Sequence, residues 1–359
     1  MDKNSFVNVT AGTNYVQSKN QTDMSSSEPY EAAAATISLL LFIIIVCLNG
    51  LVIYILVFRK HEKSRLFYFV LNLAIADFLV GVCSVLVLGI TSAMHKEWYG
   101  GDFMCRLTRF MSTTTVIASN NLLISMSVDR FLAIKYPFKV LRIGIYRNLD
   151  KCLVAGAWLI SIVVSSFFII YSRGVNANPN RADIDEQKGG CDIKLPDNWW
   201  KPYSLTVAVI IYVLPTIGIT VCYVGICIIV WMKWHSRVKL SEINTDASRD
   251  RLQGDNSLKQ GVLPKAKIKS IKMTMVVCLA FFLCWTPYFV VMLMYIFHPG
   301  TVGENFTLLF NCLYPLNSAC NPIVFMLFNR KLFTCDTCGK NDQHAVQSYE
   351  DRDTQMTSI

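Results

Sequence analysis

The residues in this chain best placed to do chemistry are polar ones set in apolar company. Asn49 follows the run Ile43-Ile44-Ile45-Val46-Cys47-Leu48, Asp77 closes Leu71-Asn72-Leu73-Ala74-Ile75-Ala76, and Asn317 and Asn321 fall in the last apolar stretch. Ser119 and Ser318 could join the same cluster. Two readings fit these groups. One is a hydrogen-bond cluster that only holds helices together. The other is an internal water and ion site, with a sodium ion near Asp77 as its simplest occupant, that rearranges during a switch. A carboxylate at membrane depth costs several kcal/mol unless it faces a bundle interior with partners; because Ser119 and Ser318 could join the cluster, the second reading is favoured. The chain shows no phosphate-cradling glycine loop, no metal-spaced His/Cys set and no nucleophile constellation, which argues against an enzyme.

Two further groups belong with these. Asp129-Arg130-Phe131 closes a long apolar stretch and is followed by Ala133-Ile134-Lys135-Tyr136-Pro137. An adjacent acid and base could be an ordinary solvated pair; its position at the end of a span gives it weight. Phe281-Phe282-Leu283-Cys284-Trp285-Thr286-Pro287-Tyr288 lies in the middle of another stretch. Proline removes a backbone hydrogen bond and bends a helix, and the flanking aromatics suit a pivot. Pro215, Tyr223 and Pro322 supply similar features in neighbouring stretches.

The elements that must position these residues are seven apolar stretches, at roughly 33–58, 66–92, 102–134, 150–172, 203–233, 268–297 and 304–327. Spanning a bilayer takes about 20 apolar residues. Lipid cannot hydrogen-bond a backbone, so each span is expected to be a helix. The chain is 53% hydrophobic and only 16% charged, against about 25% charged in soluble domains. The expected fold is an all-α membrane bundle of seven helices, covering 33–338 together with a short amphipathic helix at Phe328-Asn329-Arg330-Lys331-Leu332-Phe333. Residues 1–32 form a polar tail without the apolar core of a cleaved signal peptide, so the first span is expected to act as a signal anchor. Residues 339–359 form a second polar tail.

Charge sets the orientation. Basic residues cluster at 59–65, at Lys135, Lys139, Arg142, Arg147 and Lys151, and again between the fifth and sixth spans. The positive-inside rule places these in the cytoplasm and the N-terminus outside. The net charge of +9 therefore reads as orientation and contact with membrane lipid, not as nucleic-acid binding. Asn8-Val9-Thr10 and Asn20-Gln21-Thr22 are glycosylation sequons in the outside tail, and Asn305-Phe306-Thr307 is a third close to a helix end. Most of the 13 cysteines lie in the spans as small apolar packing. Cys105 and Cys191 face the oxidising side, where a disulfide is expected. Cys335 and Cys338 follow the last span and read as palmitoylation sites or free thiols. The polar connection between the fifth and sixth spans is expected to be flexible.

Taken in order, Asn49, Asp77, Cys105, Asp129-Arg130, Trp158, Pro215, Tyr223, Phe281, Trp285, Pro287, Asn321 and Pro322 resemble the rhodopsin-like (class A) G-protein-coupled receptors from about 33 to 338. Within that family the chain looks most like vasopressin/oxytocin-type peptide receptors. That likeness rests on Ala266–Thr274, on Gly101-Asp102-Phe103-Met104-Cys105-Arg106-Leu107, and on Asn317-Ser318-Ala319-Cys320-Asn321-Pro322 with Met326-Leu327-Phe328. Gonadotropin-releasing-hormone and adipokinetic-hormone receptors share part of it.

The resemblance implies an extracellular peptide ligand, a heterotrimeric G protein of the calcium-mobilising Gq class, and arrestin and receptor kinases as further partners. Ser348, Thr354, Thr357 and Ser358 are candidate phosphorylation sites. It implies a ligand pocket at Arg109, Ser112, Tyr288, Phe289, Met292 and Asn311. It assigns switch and coupling roles to Asp77, Asp129, Arg130, Tyr223, Phe281, Trp285, Pro287, Asn317, Asn321, Pro322 and Phe325. The sixth helix is expected to swing about Pro287 and free Arg130 from Asp129. The chain also departs from the pattern. Phe325 and Phe131 stand where the family has tyrosines, and Lys267 stands where many members carry a restraining acid. Ser84, Leu88, Ser112, Phe168 and Met292 stand where the nonapeptide receptors place pocket groups that are mostly glutamines. Restraint of Arg130 is therefore expected mainly from Asp129 and packing. A non-signalling decoy receptor is the serious alternative. A transporter would show internal repeats, and none is visible. An opsin would need a lysine at 304–327, and an amine receptor an aspartate between Asp102 and Asp129; neither is present.

Overall fold

The computed structural model describes residues 21–59, 64–94, 97–136, 148–175, 190–247, 265–298 and 304–333. Helix α1 runs Gln21–Tyr54 and ends in a π turn, Ile55–Arg59. Helix α2 runs Arg65–Val80, passes through a π turn at Gly81–Val85 and resumes at Leu86–Ala93. Helices α3 and α4 are Gly101–Lys135 and Leu149–Tyr171. Helix α5 comprises Trp200–Ala208, a π turn at Val209–Val213, and Leu214–Ala247. Helix α6 is Lys265–Phe297, and α7 is Glu304–Phe328.

Five of these rods are long and apolar enough to cross a membrane: Glu31–Arg59, Arg65–Ala93, Leu149–Tyr171, Trp200–Ser236 and Ile268–Met294. Their outward faces carry bare rows such as Leu159, Ile160 and Val163 on α4 and Val221, Val224 and Ile228 on α5. Water would penalise so much exposed apolar surface; lipid does not. Helix α3 is different because it is central. It packs against α2, α4, α5 and α6, so protein covers it and it can carry hydroxyls. Thr114 Oγ1 donates to Phe110 O at 2.7 Å, Thr115 Oγ1 to Ser112 O at 3.0 Å, and Ser127 Oγ to Leu123 O at 2.9 Å. Each hydroxyl is satisfied within its own helix and needs no water.

Between α4 and α5 lies an antiparallel hairpin, β1 (Ser172–Val175) with β2 (Gly190–Ile193), in which Gly174 pairs with Cys191. Cys191 is disulfide-bonded to Cys105 at the start of α3, with a Cα–Cα distance of 5.4 Å. Gly174 must be glycine here: an added Cβ would lie 2.5 Å from the Gly101 carbonyl and 2.7 Å from Cys105 Cβ. Its amide donates to Asp102 Oδ1 at 3.0 Å. Arg106 binds Asp102 Oδ2 at 2.8 Å and the Ile169 carbonyl at 2.6 Å, satisfying one of the carbonyls left over at the end of α4.

Three boundaries differ from the sequence reading. Helix α1 starts at Gln21, inside the segment expected to be tail. Helix α5 continues to Ala247 instead of ending near 233; low hydropathy ends a span but does not end a helix, and no proline or glycine interrupts Trp231–Ala247. The expected amphipathic helix is, among the described residues, a single 3-10 turn at Arg330–Leu332.

Candidate functional site

The centre of the bundle is a fully buried carboxylate. Asp77 Oδ1 accepts from Ser119 Oγ at 2.7 Å and Ser318 Oγ at 2.8 Å, and Oδ2 accepts from Asn321 Nδ2 at 2.7 Å. Asn49 Nδ2 donates to the Ser318 carbonyl at 3.0 Å. That carbonyl is free because Pro322, four residues on, has no N–H to offer it. Helices α1, α2, α3 and α7 therefore meet at one polar knot, and Ser119 and Ser318 take the places expected for them. The Oδ1 atoms of Asn49, Asn317 and Asn321 are buried without a hydrogen-bond partner. Hard oxygen donors around a carboxylate are the ligand type that an alkali or alkaline-earth cation prefers.

The same proline logic recurs on α5. Pro215 cannot donate to the carbonyl of Ile211, which lies in the π turn, and Asn120 Nδ2 on α3 fills the gap at 3.0 Å. The wide turn presents Tyr212 to α6. Its hydroxyl lies 2.7 Å from Thr286 Oγ1, beside Pro287, and its ring packs 4.5 Å from Phe289 and stacks 6.2 Å from Phe281. Phe281 and Trp285 are buried and 6.2 Å apart. Trp285 in turn touches Tyr288 and Tyr314 at 5.8 and 6.1 Å. An aromatic column thus lines α6 beside Pro287.

At the hairpin end, Arg109 is buried and donates to the carbonyl of Cys191, with Asp192 Oδ1 3.9 Å away. Ser112 Oγ donates to Ser84 Oγ at 2.9 Å, and Ser84 lies 3.1 Å from the Tyr314 hydroxyl. Tyr314 packs 6.0 Å from Tyr288. Ser112 and Tyr288 are thus joined through Ser84 and Tyr314, while Phe289 sits on the Tyr212 side. Met292 is buried one turn beyond Tyr288, and Asn311 is carried on α7.

At the opposite end, Asp129 is buried between two cations. Arg130 binds its Oδ2 at 2.5 Å and Arg65 approaches its Oδ1 at 3.1 Å. Arg130 also donates to Ser270 Oγ on α6 at 2.8 Å. Tyr223 turns its hydroxyl toward Thr274, Cys278 and Ser127. Phe131 lies against Gly225 of α5, where a Cβ would come within 2.5 Å of the ring. Phe325 is buried edge-on to Phe67 at 5.9 Å and Phe333 at 6.1 Å.

Asn8, Asn20, Cys335 and Cys338 lie outside the described residues. Arg65, Ser270, Asn120, Tyr212, Thr286 and Tyr314 were not singled out from the sequence. For Asn120 a signal exists: an asparagine in one apolar span and, in a neighbouring span, a carbonyl left unpaired four residues before a proline invite that bond. Arg65 falls within a basic cluster at 59–65, and nothing in the sequence alone places Ser270 opposite Arg130.

Comparison with known proteins accounts for this arrangement. The family described as 7 transmembrane receptor (rhodopsin family) matches residues 48–325. The isotocin receptor of Catostomus commersonii is 31% identical over 325 residues, covering 88% of this chain and 79% of that receptor. The neuropeptide S receptor of Mus musculus is 30% identical over 318 residues, covering 87% and 80%. The oxytocin receptor of Ovis aries is 30% identical over 312 residues, covering 83% and 76%. The chain, with its polar knot, proline-bearing α6 and disulfide-anchored hairpin, is a multi-pass membrane receptor, not an enzyme, and belongs to the rhodopsin family of seven-transmembrane receptors.

Proposed function

We propose that this receptor binds a short extracellular peptide at the hairpin end and signals through a heterotrimeric G protein at the Asp129-Arg130 end. The observation that carries the peptide reading is the set of side chains gathered at the hairpin end. It combines a buried guanidinium, Arg109, with hydroxyls from Ser84, Ser112 and Tyr314 and with aromatic faces from Tyr288 and Phe289. Backbone carbonyls and aromatic side chains of a peptide suit such a lining. The names of the isotocin, oxytocin and neuropeptide S receptors point to the same ligand class. Asn311 completes the ligand set in this reading, and Met292 supplies its apolar floor.

A ligand acts only by favouring one of two arrangements. Here the lever is α6, bent at Pro287, and the released group is Arg130. Tyr223, Phe281, Trp285, Asn317, Asn321, Pro322 and Phe325 carry the change between the hairpin end and the far end. The proposed G protein is of the Gq class, with arrestin and receptor kinases acting afterwards. The hairpin end and N-terminus face outward at the plasma membrane, with glycans on Asn8 and Asn20 and palmitoyl groups on Cys335 and Cys338. Asp77, Ser119 and the orphaned acceptor oxygens of Asn317 and Asn321 would hold a sodium ion that steadies the resting arrangement.

Phe325 supports a second reading. Its ring is clamped between Phe67 and Phe333 and offers no hydroxyl to Tyr223, as a non-signalling receptor would. Intracellular calcium in cells exposed to a peptide library separates the two, with radiolabelled peptide reporting binding in parallel. A peptide that binds and raises calcium supports the first reading; one that binds in silence, across all G-protein classes, supports the second.

A further inference from the structure

Asp129 has a second cation waiting. It is 1% exposed, and its two oxygens face two different guanidiniums. Arg130, its neighbour on α3, holds Oδ2 at 2.5 Å, and Arg65, the first residue of α2, stands 3.1 Å from Oδ1. The proposed signalling step requires Arg130 to leave. Taking one partner from a buried ion pair is strongly unfavourable, because the remaining charge is left uncompensated. Arg65 removes that obstacle.

We infer that Arg65 is a positioning residue that takes over Asp129 when Arg130 departs, and so sets how readily the receptor activates. Two further observations fit this role. Arg65 Nη2 stands 3.1 Å from Asp129 Oδ1 without hydrogen-bond geometry, and its Nε is buried without a hydrogen bond, so the guanidinium has donor capacity to turn onto Asp129 more fully. Arg130, by contrast, already has a second acceptor in Ser270 and is shared between two helices. The hand-over leaves the carboxylate paired in both arrangements; what changes is which helix pairs it, α3 at rest and α2 after release. Charge removal at Arg65 thus opposes activation, although Arg65 itself touches neither ligand nor G protein in this scheme.

The inference rests on the G-protein reading above, and the experiment separates the two. Unliganded receptor in lipid nanodiscs is titrated with nucleotide-free Gα cores drawn from each G-protein class, and the core that binds the natural chain best is kept. With that core, Arg65→Gln is expected to require about fivefold more Gα for half-saturation, within the usual range of allosteric coupling. Asp129→Asn is expected to require less than the natural chain. In the Asp129→Asn background, Arg65→Gln is expected to change nothing, because no carboxylate remains to hand over. Arg65→Lys, which keeps the charge, restores most of the loss. A purely structural role would lower folded yield and weaken Gα binding in both backgrounds alike. The inference is overturned if Arg65→Gln leaves Gα binding unchanged, strengthens it, or weakens it equally with Asn at 129. Failure of every Gα core to bind the natural chain overturns both readings.

Discussion

Arg130 donates a 2.8 Å hydrogen bond to the Ser270 hydroxyl, and this contact joins the far ends of α3 and α6. Lys267 stands where many relatives are expected to carry a restraining acid, yet α6 is still tethered, by a neutral group one turn away. A hydrogen bond to a charged group contributes about 1.5–3 kcal/mol. Ser270→Ala is therefore expected to raise ligand-independent nucleotide exchange about tenfold, measured per receptor at the cell surface. Ser270→Thr, which keeps the hydroxyl, is expected to stay near the natural level. An alanine variant with unchanged exchange would show that the tether carries no restraint.

The polar knot predicts a salt-specific effect. Asp77 is surrounded by oxygen ligands, and an ion that binds only the resting fold stabilises it by mass action. Sodium chloride, against choline chloride at equal ionic strength, is expected to raise the melting temperature of the purified receptor by about 3 °C. Asp77→Asn is expected to abolish that rise. Equal melting in the two salts would leave the knot as structural glue.

Much of this was legible in the residues themselves. Asn49, Asp77, Ser119, Ser318 and Asn321 announce themselves because they are polar in apolar spans, and the structure joins Ser119, Ser318 and Asn321 at the Asp77 carboxylate and Asn49 at the Ser318 carbonyl. Five of the expected span limits agree closely with the long apolar helices found, since hydropathy fixes where a helix leaves the membrane. It does not fix where the helix ends, which is why α5 runs on to Ala247. No local pattern in the sequence marks the π turns at Gly81–Val85 and Val209–Val213. The hairpin contacts of Arg109 and the pairing of Arg65 with Asp129 join residues far apart in the chain, and charge composition cannot specify such partners.

Asn120 tests the link between α3 and α5. Its loss leaves the Ile211 carbonyl, already deprived of a donor by Pro215, unsatisfied in the bundle. Such a group costs about 1–3 kcal/mol. Asn120→Leu is expected to lower thermal stability by that amount and to shift ligand-independent signalling. Combination with Tyr212→Phe, which removes the 2.7 Å contact to Thr286, is expected to be non-additive because both act on one π turn. Strict additivity in thermal melts would separate the two contacts.

The Cys105–Cys191 bridge closes a separation of 86 residues and pins the hairpin over Arg109. In the chain-entropy account, closing a loop of that length stabilises the fold by about 4.6 kcal/mol. Cys105→Ser, Cys191→Ser and the double variant are expected to reduce surface expression to a similar degree. Full expression of the double variant, with peptide binding intact, would contradict the role given to the hairpin.

The central claim is that a peptide at the hairpin end drives release of Arg130 at the other. The measurement that tests it most directly is intracellular calcium in cells co-expressing the receptor and a promiscuous Gα subunit. The challenge is a library of short amidated peptides that includes cyclic nonapeptides, and Arg130→Ala is the paired control. The account predicts a dose-dependent rise to at least one peptide that is lost in Arg130→Ala, with surface expression and peptide binding retained. A rise that survives Arg130→Ala, or silence to every peptide from a receptor confirmed at the surface, would contradict it.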